Sequence, residues 1–242
     1  MSYLIEIAAW TQERLAERRL TRSLTAALIR ARPMGVIAEV KRASPSQGAI
    51  APDADPVTVA RRYVEGGAAA ISVLTSGRDF GGSYADLAAV RAAVHVPLLC
   101  KDFFIHPWQV TEARVHGADA ILVLLSLVDD ELAVDLIQAA EDVEMEVLVE
   151  VHDEVEAERA LNLGAPLIGV NARDLGTLEI DRGRQRALLR SLPHGLVRVA
   201  ESGIETPDHA TAAREAGADA LLVGTALMRD EALLPALVRS GR

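Results

Sequence analysis

The sequence predicts a (β/α)8 barrel, the TIM-barrel architecture, with an N-terminal helical extension. Three observations lead there. Eight short apolar runs stand between turn signals, amphipathic stretches rich in Ala, Arg and Glu separate them, and a glycine-alanine motif recurs at regular intervals. The motif is Gly67-Ala-Ala-Ala-Ile, Gly117-Ala-Asp-Ala-Ile, Gly164-Ala-Pro-Leu-Ile and Gly217-Ala-Asp-Ala-Leu, at spacings of 50, 47 and 53 residues, or two strand-helix units each time. Unbroken strand-helix alternation implies a parallel sheet, and eight units imply closure.

The elements follow in order. Residues 1–35 stand outside the repeat: Leu4–Arg19 and Ser23–Arg32 are amphipathic and helical in pattern, until Pro33 and Gly35 break it. They are expected to lead into the barrel and cover one of its ends. The eight strands are expected at Val36–Lys41, Ala70–Leu74, Pro97–Lys101, Ala120–Leu125, Glu146–Val151, Leu167–Asn171, Val197–Ser202 and Ala220–Gly224, each an apolar run of strand length. Among the helices between them are Asp55–Glu65, Asp129–Val143, Glu154–Leu163 and Pro207–Ala216. Each glycine of the repeat is expected to end a helix in a left-handed turn, and the small residues after it let the chain enter the sheet. With 242 residues, half of them apolar, the chain can bury a large core, and residues 1–242 are read as one barrel domain.

Composition narrows the function. A formal net charge of −10 argues against nucleic acid, which needs a basic face, yet leaves room for a small anion held by a few local cations and amides. No apolar run approaches a membrane span, and the N-terminus lacks the pattern of a secretory signal. The single cysteine, Cys100, allows no internal disulfide and offers no metal cluster, so the expectation is a cytoplasmic setting without metal.

Twenty-three of the 25 basic residues are arginine; the two lysines are Lys41 and Lys101. A guanidinium is in practice never deprotonated, whereas an ammonium can exchange its proton, so the surviving lysines are candidates for acid-base work. Both end an expected strand, and barrel active sites gather at the C-terminal strand ends. Around them, at other such ends, stand Glu39, Glu150, Asn171 with Arg173, Glu201 with Ser202, and Gly224 with Thr225. Glu39 and Lys41 share a strand face by alternation. Ser202-Gly203 and Gly224-Thr225 follow strands seven and eight, where barrels commonly bind phosphate through backbone N–H groups. The loop Arg42–Gly48 is polar and turn-prone, suited to folding over a substrate. From the residues alone, an acid-base enzyme acting on a phosphorylated molecule stands beside two rivals: an aldolase or isomerase, with Lys101 as a Schiff base in the former, and a phosphate-binding subunit without catalysis.

Six colinear motifs go further. Glu39-Val-Lys41-Arg-Ala-Ser44-Pro45-Ser46-x-Gly48, Leu99-Cys-Lys101-Asp-Phe103, Val147-Leu-Val-Glu150-Val-His, Asn171-x-Arg173-Asp-Leu175, Ala200-Glu201-Ser202-Gly203-Ile and Gly224-x-Ala-Leu-Met resemble the indole-3-glycerol-phosphate synthase family, from about Val36 to Arg229. The resemblance implies a (β/α)8 barrel of tryptophan biosynthesis. Without cofactor or metal, it would convert 1-(2-carboxyphenylamino)-1-deoxyribulose 5-phosphate to indole-3-glycerol phosphate, releasing CO2 and water. It implies that Lys101 is the general acid of ring closure and that Glu150 transfers a proton in the later dehydration. Lys41 would contact the anionic groups of the substrate and share in proton transfer. Glu39 and Glu201 would order the lysines, with Asn171 among them. Arg173 would lie near the anthranilate carboxylate, and Pro45, Phe103, Leu122 and Leu175 against the aromatic ring. Ser44, Ser202, Gly203, Gly224 and Thr225 would cradle the phosphate. The expected partner is this small molecule alone, for a monomer in the cytoplasm.

This chain departs from the family pattern in three places. Gln47 stands where many members have lysine, which is expected to soften loop closure. Ala172 replaces a frequent asparagine or serine beside Asn171. The stretch before the first strand is short compared with a leader that helps to cover the active site. At the lysines, desolvation and the neighbouring carboxylates push in opposite directions. Cys100 is expected to face outward against a helix as a small buried residue.

Overall fold

The computed structural model describes residues 22–31 and 33–240. Eight parallel strands close into a barrel: β1 (Gly35–Val40), β2 (Ala70–Leu74), β3 (Leu98–Lys101), β4 (Ala120–Leu124), β5 (Glu146–Val151), β6 (Leu167–Asn171), β7 (Val197–Glu201) and β8 (Ala220–Val223). Each strand pairs with its neighbours in chain order, and β8 returns to β1 with Gly35 beside Ala220. The expected (β/α)8 barrel is what the chain forms.

A helix of eight residues or more follows seven of the strands and packs outside the sheet: α2 (Pro56–Glu65), α4 (Tyr84–Ala93), α5 (Pro107–Val115), α6 (Asp130–Asp142), α7 (Glu154–Asn162), α8 (Arg182–Ser191) and α9 (Pro207–Glu215) carry the crossovers from β1 to β8. A short α3 (Gly77–Phe80) precedes α4 in the same crossover, and α10 (Thr225–Arg229) and α11 (Leu234–Arg239) follow β8. Their starts are chemically marked. Asp55, Ser83, Asp129, Asp153, Asp181 and Thr206 each accept a hydrogen bond from a first-turn amide, satisfying a donor that has no partner within the helix. The glycines of the repeat, Gly67, Gly117, Gly164 and Gly217, all have positive φ, between 72° and 104°, as a left-handed exit from a helix requires.

The core has two parts. Outward-facing strand residues such as Val36, Ile71, Cys100, Ile121 and Leu221 pack against the helices, Cys100 among them as expected. Inward-facing Ile37, Leu99, Leu122, Leu148, Val199 and Leu222 fill the barrel. The interior cluster also includes Leu24 and Leu28 of helix α1 (Leu24–Arg30). Ser23 Oγ and the Thr25 amide bond the two carboxylate oxygens of Glu146 at 2.6 and 2.8 Å, and Glu146 is the first residue of β5. A side chain at Gly35 would meet Leu28 at 3.0 Å, so the glycine gives α1 its close seat. The described part of the extension therefore plugs the N-terminal end of the barrel, opposite the strand ends that carry the candidate site. The expected helix Leu4–Arg19, and Arg32, lie outside the described residues.

Strand ends differ from expectation by one residue in several places. Lys41, Leu125, Ser202 and Gly224 fall just beyond their strands, and β3 begins at Leu98, after the proline that has no N–H to give to the ladder. Ser202 leaves β7 because its φ is +63°, and Gly224 turns directly into α10.

Candidate active site

Alternation along the strands aims one set of side chains up the inside of the barrel. Towards the C-terminal ends this face changes from apolar to polar: Leu99 gives way to Lys101, Leu148 to Glu150, Gly169 to Asn171 and Val199 to Glu201. Glu39, Glu150, Asn171 and Glu201 are all buried, which is rare for carboxylates unless they are paired.

Lys101 is the hub. Its Nζ lies 3.1 Å from Glu150 Oε2 and 2.9 Å from Glu201 Oε2. Asn171 Nδ2 donates to the other oxygen of Glu150 at 2.7 Å, and the amide of Arg173 donates to Asn171 Oδ1 at 2.9 Å. On the far side of the mouth Lys41 Nζ pairs with Glu39 Oε1 at 2.8 Å. Two glycines make room for these carboxylates. A Cβ on Gly169 would lie 2.0 Å from Glu201 Oε1, and one on Gly224 would lie 2.3 Å from Glu39 Oε1 and 3.0 Å from Lys41 Nζ. Gly224 is thus required by the carboxylate beside it, whatever it offers an anion.

The opposing pushes on Lys101 resolve in favour of charge. Burial lowers its pKa, but Glu150, Glu201 and Glu39 together outweigh burial and hold the ammonium above its ordinary value. For Glu150, burial raises the pKa, and the opposing pull of Lys101, His152 and Asn171 carries it well below the usual carboxylate range. Glu201 goes the other way. Burial raises it, Lys101 offsets only part of that, and the negative Glu150 nearby raises it further. An ammonium favoured in this way has a proton to donate, whereas a Schiff base needs the free amine, which disfavours the aldolase reading.

The remaining expected residues line the mouth. Ser44 sits in a two-stranded hairpin, Ala43–Ser44 with Gly48–Ala49, that follows β1, with Pro45 exposed at its turn. Gln47 of this turn accepts a hydrogen bond from Arg229 of α10, so the departure from lysine ties the loop to the element after β8 instead of loosening it. Ser202 and Gly203 both have positive φ, and Thr225 opens α10 next to Gly224. Phe103 is 42% exposed and Leu175 44% exposed, both as apolar residues on the rim, with Phe103 tilted against Phe80 at 6.2 Å between centroids. Leu122 points into the interior below them. Arg173 donates from Nη1 to the Leu178 carbonyl at 2.8 Å, within its own loop. Ala172 is buried, with its amide bonded to the Glu201 carbonyl at 2.9 Å.

Among the described residues, seven buried side-chain polar atoms lack a hydrogen-bond partner, and four of them are at this end of the barrel or just inside it with no other contact named: Glu39 Oε2, Ser44 Oγ, Ser72 Oγ and Glu201 Oε1; a fifth, His152 Nε2, has only an ion-pair contact with Glu150 Oε1 at 3.3 Å. Native interiors rarely leave such atoms unsatisfied, and their concentration here marks a place built for a polar ligand. Sequence reasoning did not select Ser72, His152 or Gly169. Two of the signals were present: His152 is two residues after Glu150 on the same face, and Gly169 is a glycine inside a strand, where close approach is its usual reason.

Fold and site together define a (β/α)8 barrel whose C-terminal mouth holds two lysines against buried carboxylates. The family model described as indole-3-glycerol phosphate synthase matches residues 4–238. Among curated relatives, the indole-3-glycerol phosphate synthase of Mycobacterium ulcerans is 52% identical over 203 residues, covering 84% of this chain and 75% of that one. That of Parafrankia sp. is 52% identical over 200 residues, covering 83% and 75%. The chain belongs to the indole-3-glycerol phosphate synthase family, carboxy-lyases of tryptophan biosynthesis. In structure it is similar to thiamine phosphate pyrophosphorylase from Pyrococcus furiosus, with TM-score 0.62 at 20% identity over 86% of this chain and 95% of that one, a likeness of fold alone.

Proposed function

We propose that the barrel mouth performs the family's ring closure, decarboxylation and dehydration with Lys101 as proton donor and Glu150 as the carboxylate of proton transfer. The observation that carries this reading is the geometry at Lys101, an ammonium held between Glu150 and Glu201 at 3.1 and 2.9 Å at the end of an apolar barrel. The substrate is 1-(2-carboxyphenylamino)-1-deoxyribulose 5-phosphate. Its aromatic carbon attacks the ribulose carbonyl, and the oxygen that gains charge takes a proton from Lys101. The carboxylate then leaves as CO2, which restores the aromatic ring. Dehydration follows, with Glu150 removing a proton and an ammonium helping the hydroxyl to leave as water. Lys41, ordered by Glu39, is suited to neutralising an anionic group of the substrate and to sharing in this last proton transfer. Glu201 orders Lys101 together with Glu150, and Asn171 fixes Glu150.

Substrate binding follows from the rim. Phe103, Pro45, Leu122 and Leu175 offer apolar contact to the aromatic ring, and Arg173 a cation for its carboxylate. The orphaned hydroxyl of Ser44, the left-handed Ser202-Gly203 turn and the Gly224-Thr225 junction support a phosphate cradle. The reading includes action as a cytoplasmic monomer on this small molecule; among the described residues no helix is long and apolar enough to cross a membrane. The test is the appearance of indole fluorescence when the purified protein meets the synthetic substrate. Turnover without added metal or cofactor is expected, and no indole product at any enzyme concentration would refute the proposal.

A further inference from the structure

His152 stands just beyond the end of β5 and is only 8% exposed. Its Nδ1 lies 3.0 Å from Glu156 Oε2 of α7, and that same oxygen accepts the backbone amide of His152 at 2.8 Å. Glu156 is itself fixed in the first turn of α7, where its amide donates to Asp153 Oδ1 at 2.9 Å. The other ring nitrogen, Nε2, lies 3.3 Å from Glu150 Oε1, the oxygen that also receives the Asn171 amide. The imidazole is therefore wedged between two carboxylates, one inside the catalytic cluster and one behind it.

The charges around Lys101 explain what this wedge could do. Two buried carboxylates, Glu150 and Glu201, share one ammonium, which leaves the trio short of a cation. An imidazolium at His152 supplies one, but only to Glu150. Glu201 has no equivalent: its Oε1 is buried without a partner. Like carboxylates in unlike surroundings separate into an ionised and a proton-carrying member.

We propose that His152 is a positioning residue that holds Glu150 oriented and ionised, so that the pair around Lys101 divides into a base, Glu150, and a proton carrier, Glu201. This rests on the reading of Lys101 and Glu150 as the proton-transfer pair. The groups that face His152 are Glu150 from β5 and Glu156 from α7; Lys101 of β3 and Asn171 of β6 lie beyond Glu150. Burial lowers the His152 pKa, but the carboxylates of Glu150 and Glu156 on either side outweigh burial and push it up to about 9. The division suits the reaction's proton balance. A substrate carboxylate leaves as neutral CO2, so each turnover takes up one proton from solvent. A cluster with one ionised and one protonated carboxylate can accept a proton at Glu150 and return one through Glu201 and Lys101 in the same cycle.

The experiment is the pH profile of kcat for His152→Gln, which removes the charge but keeps a polar side chain. Without the imidazolium the Glu150 pKa rises, so activity is lost at higher pH as the solution is acidified. The acidic limb should move up by about one pH unit, a roughly tenfold loss below it, with KM nearly unchanged. A uniform fall in kcat with the limb in place would show a merely structural role and overturn the proposal, and so would an unaltered profile. If the variant does not fold, 15N NMR of the wild-type protein decides: both ring nitrogens should show imidazolium shifts at pH 7, and a neutral ring there overturns the proposal. The Lys101→Arg variant separates this from failure of the underlying reading. If that variant is inactive while the His152→Gln limb stays in place, the role of His152 alone falls; if it turns over normally, the proton-transfer reading itself falls.

Discussion

Gly169→Ala puts one methyl group where the account says none can go. The added carbon would lie 2.0 Å from Glu201 Oε1 and 3.1 Å from its Cδ, with Leu148 Cδ1 at 3.4 Å behind. Ordinary contact begins near 3.4 Å, so Glu201 must retreat by about 1.4 Å, or the strand must shift, inside a closed barrel. Overpacking of this kind costs about 1–3 kcal/mol, and at this chain length each kcal/mol lowers Tm by roughly 2–4 °C. The catalytic effect should be larger. Retreat breaks the 2.9 Å contact between Glu201 and Lys101, and a misplacement of about 1 Å in a catalytic group costs roughly 100-fold in rate. Calorimetry reads the first number and indole fluorescence under saturating substrate the second. The expected result is a folded protein, a few degrees less stable, with kcat lowered about 100-fold. A variant with wild-type kcat and Glu201 unmoved would refute the claim that this glycine exists to seat the carboxylate.

Two further substitutions test the rim and the far end of the barrel. Arg173→Ala should raise KM more than it lowers kcat in steady-state assays, since the guanidinium is assigned to binding; a fall in kcat at constant KM would reassign it to chemistry. Asp119→Ala should destabilise by about 3–5 kcal/mol in urea unfolding and leave kcat almost unchanged. Asp119 is buried at the N-terminal end, where it pairs with Arg91 at 2.8 Å and accepts the amides of Leu98 and Arg22 at 2.9 Å each. A large loss of kcat with intact stability would contradict the separation of a structural end from a catalytic end.

Much of this was legible in the sequence, for identifiable reasons. The barrel could be read because eight strands buried on both faces are continuous apolar runs, and because the repeat glycines need a left-handed exit whatever surrounds them. The lysines could be read because arginine had replaced lysine everywhere else. Their partners at strand ends followed from the rule that places barrel chemistry there. The last residue of a strand was less legible, since Ser202 leaves the sheet through a backbone angle its side chain does not announce. Covering of one end of the barrel is expected of the N-terminal extension as a whole; that residues 23–31 take the N-terminal end is not read from sequence. That choice depends on Leu24 and Leu28 meeting the barrel interior and on Ser23 and Thr25 meeting Glu146, contacts more than 100 residues apart in sequence. His152 was passed over because the second carboxylate that charges it, Glu156, comes from the following helix. Gly169 was passed over because its importance lies in what another strand places above it.

The central claim is that Lys101 gives a proton to the ring-closing substrate, and Lys101→Arg tests it most directly because the charge is kept while the transferable proton is in practice withdrawn. With saturating substrate and folding confirmed by circular dichroism, indole fluorescence should show kcat reduced by about 100- to 10,000-fold. Turnover within a few-fold of wild type would mean that a fixed cation suffices, and would contradict the account.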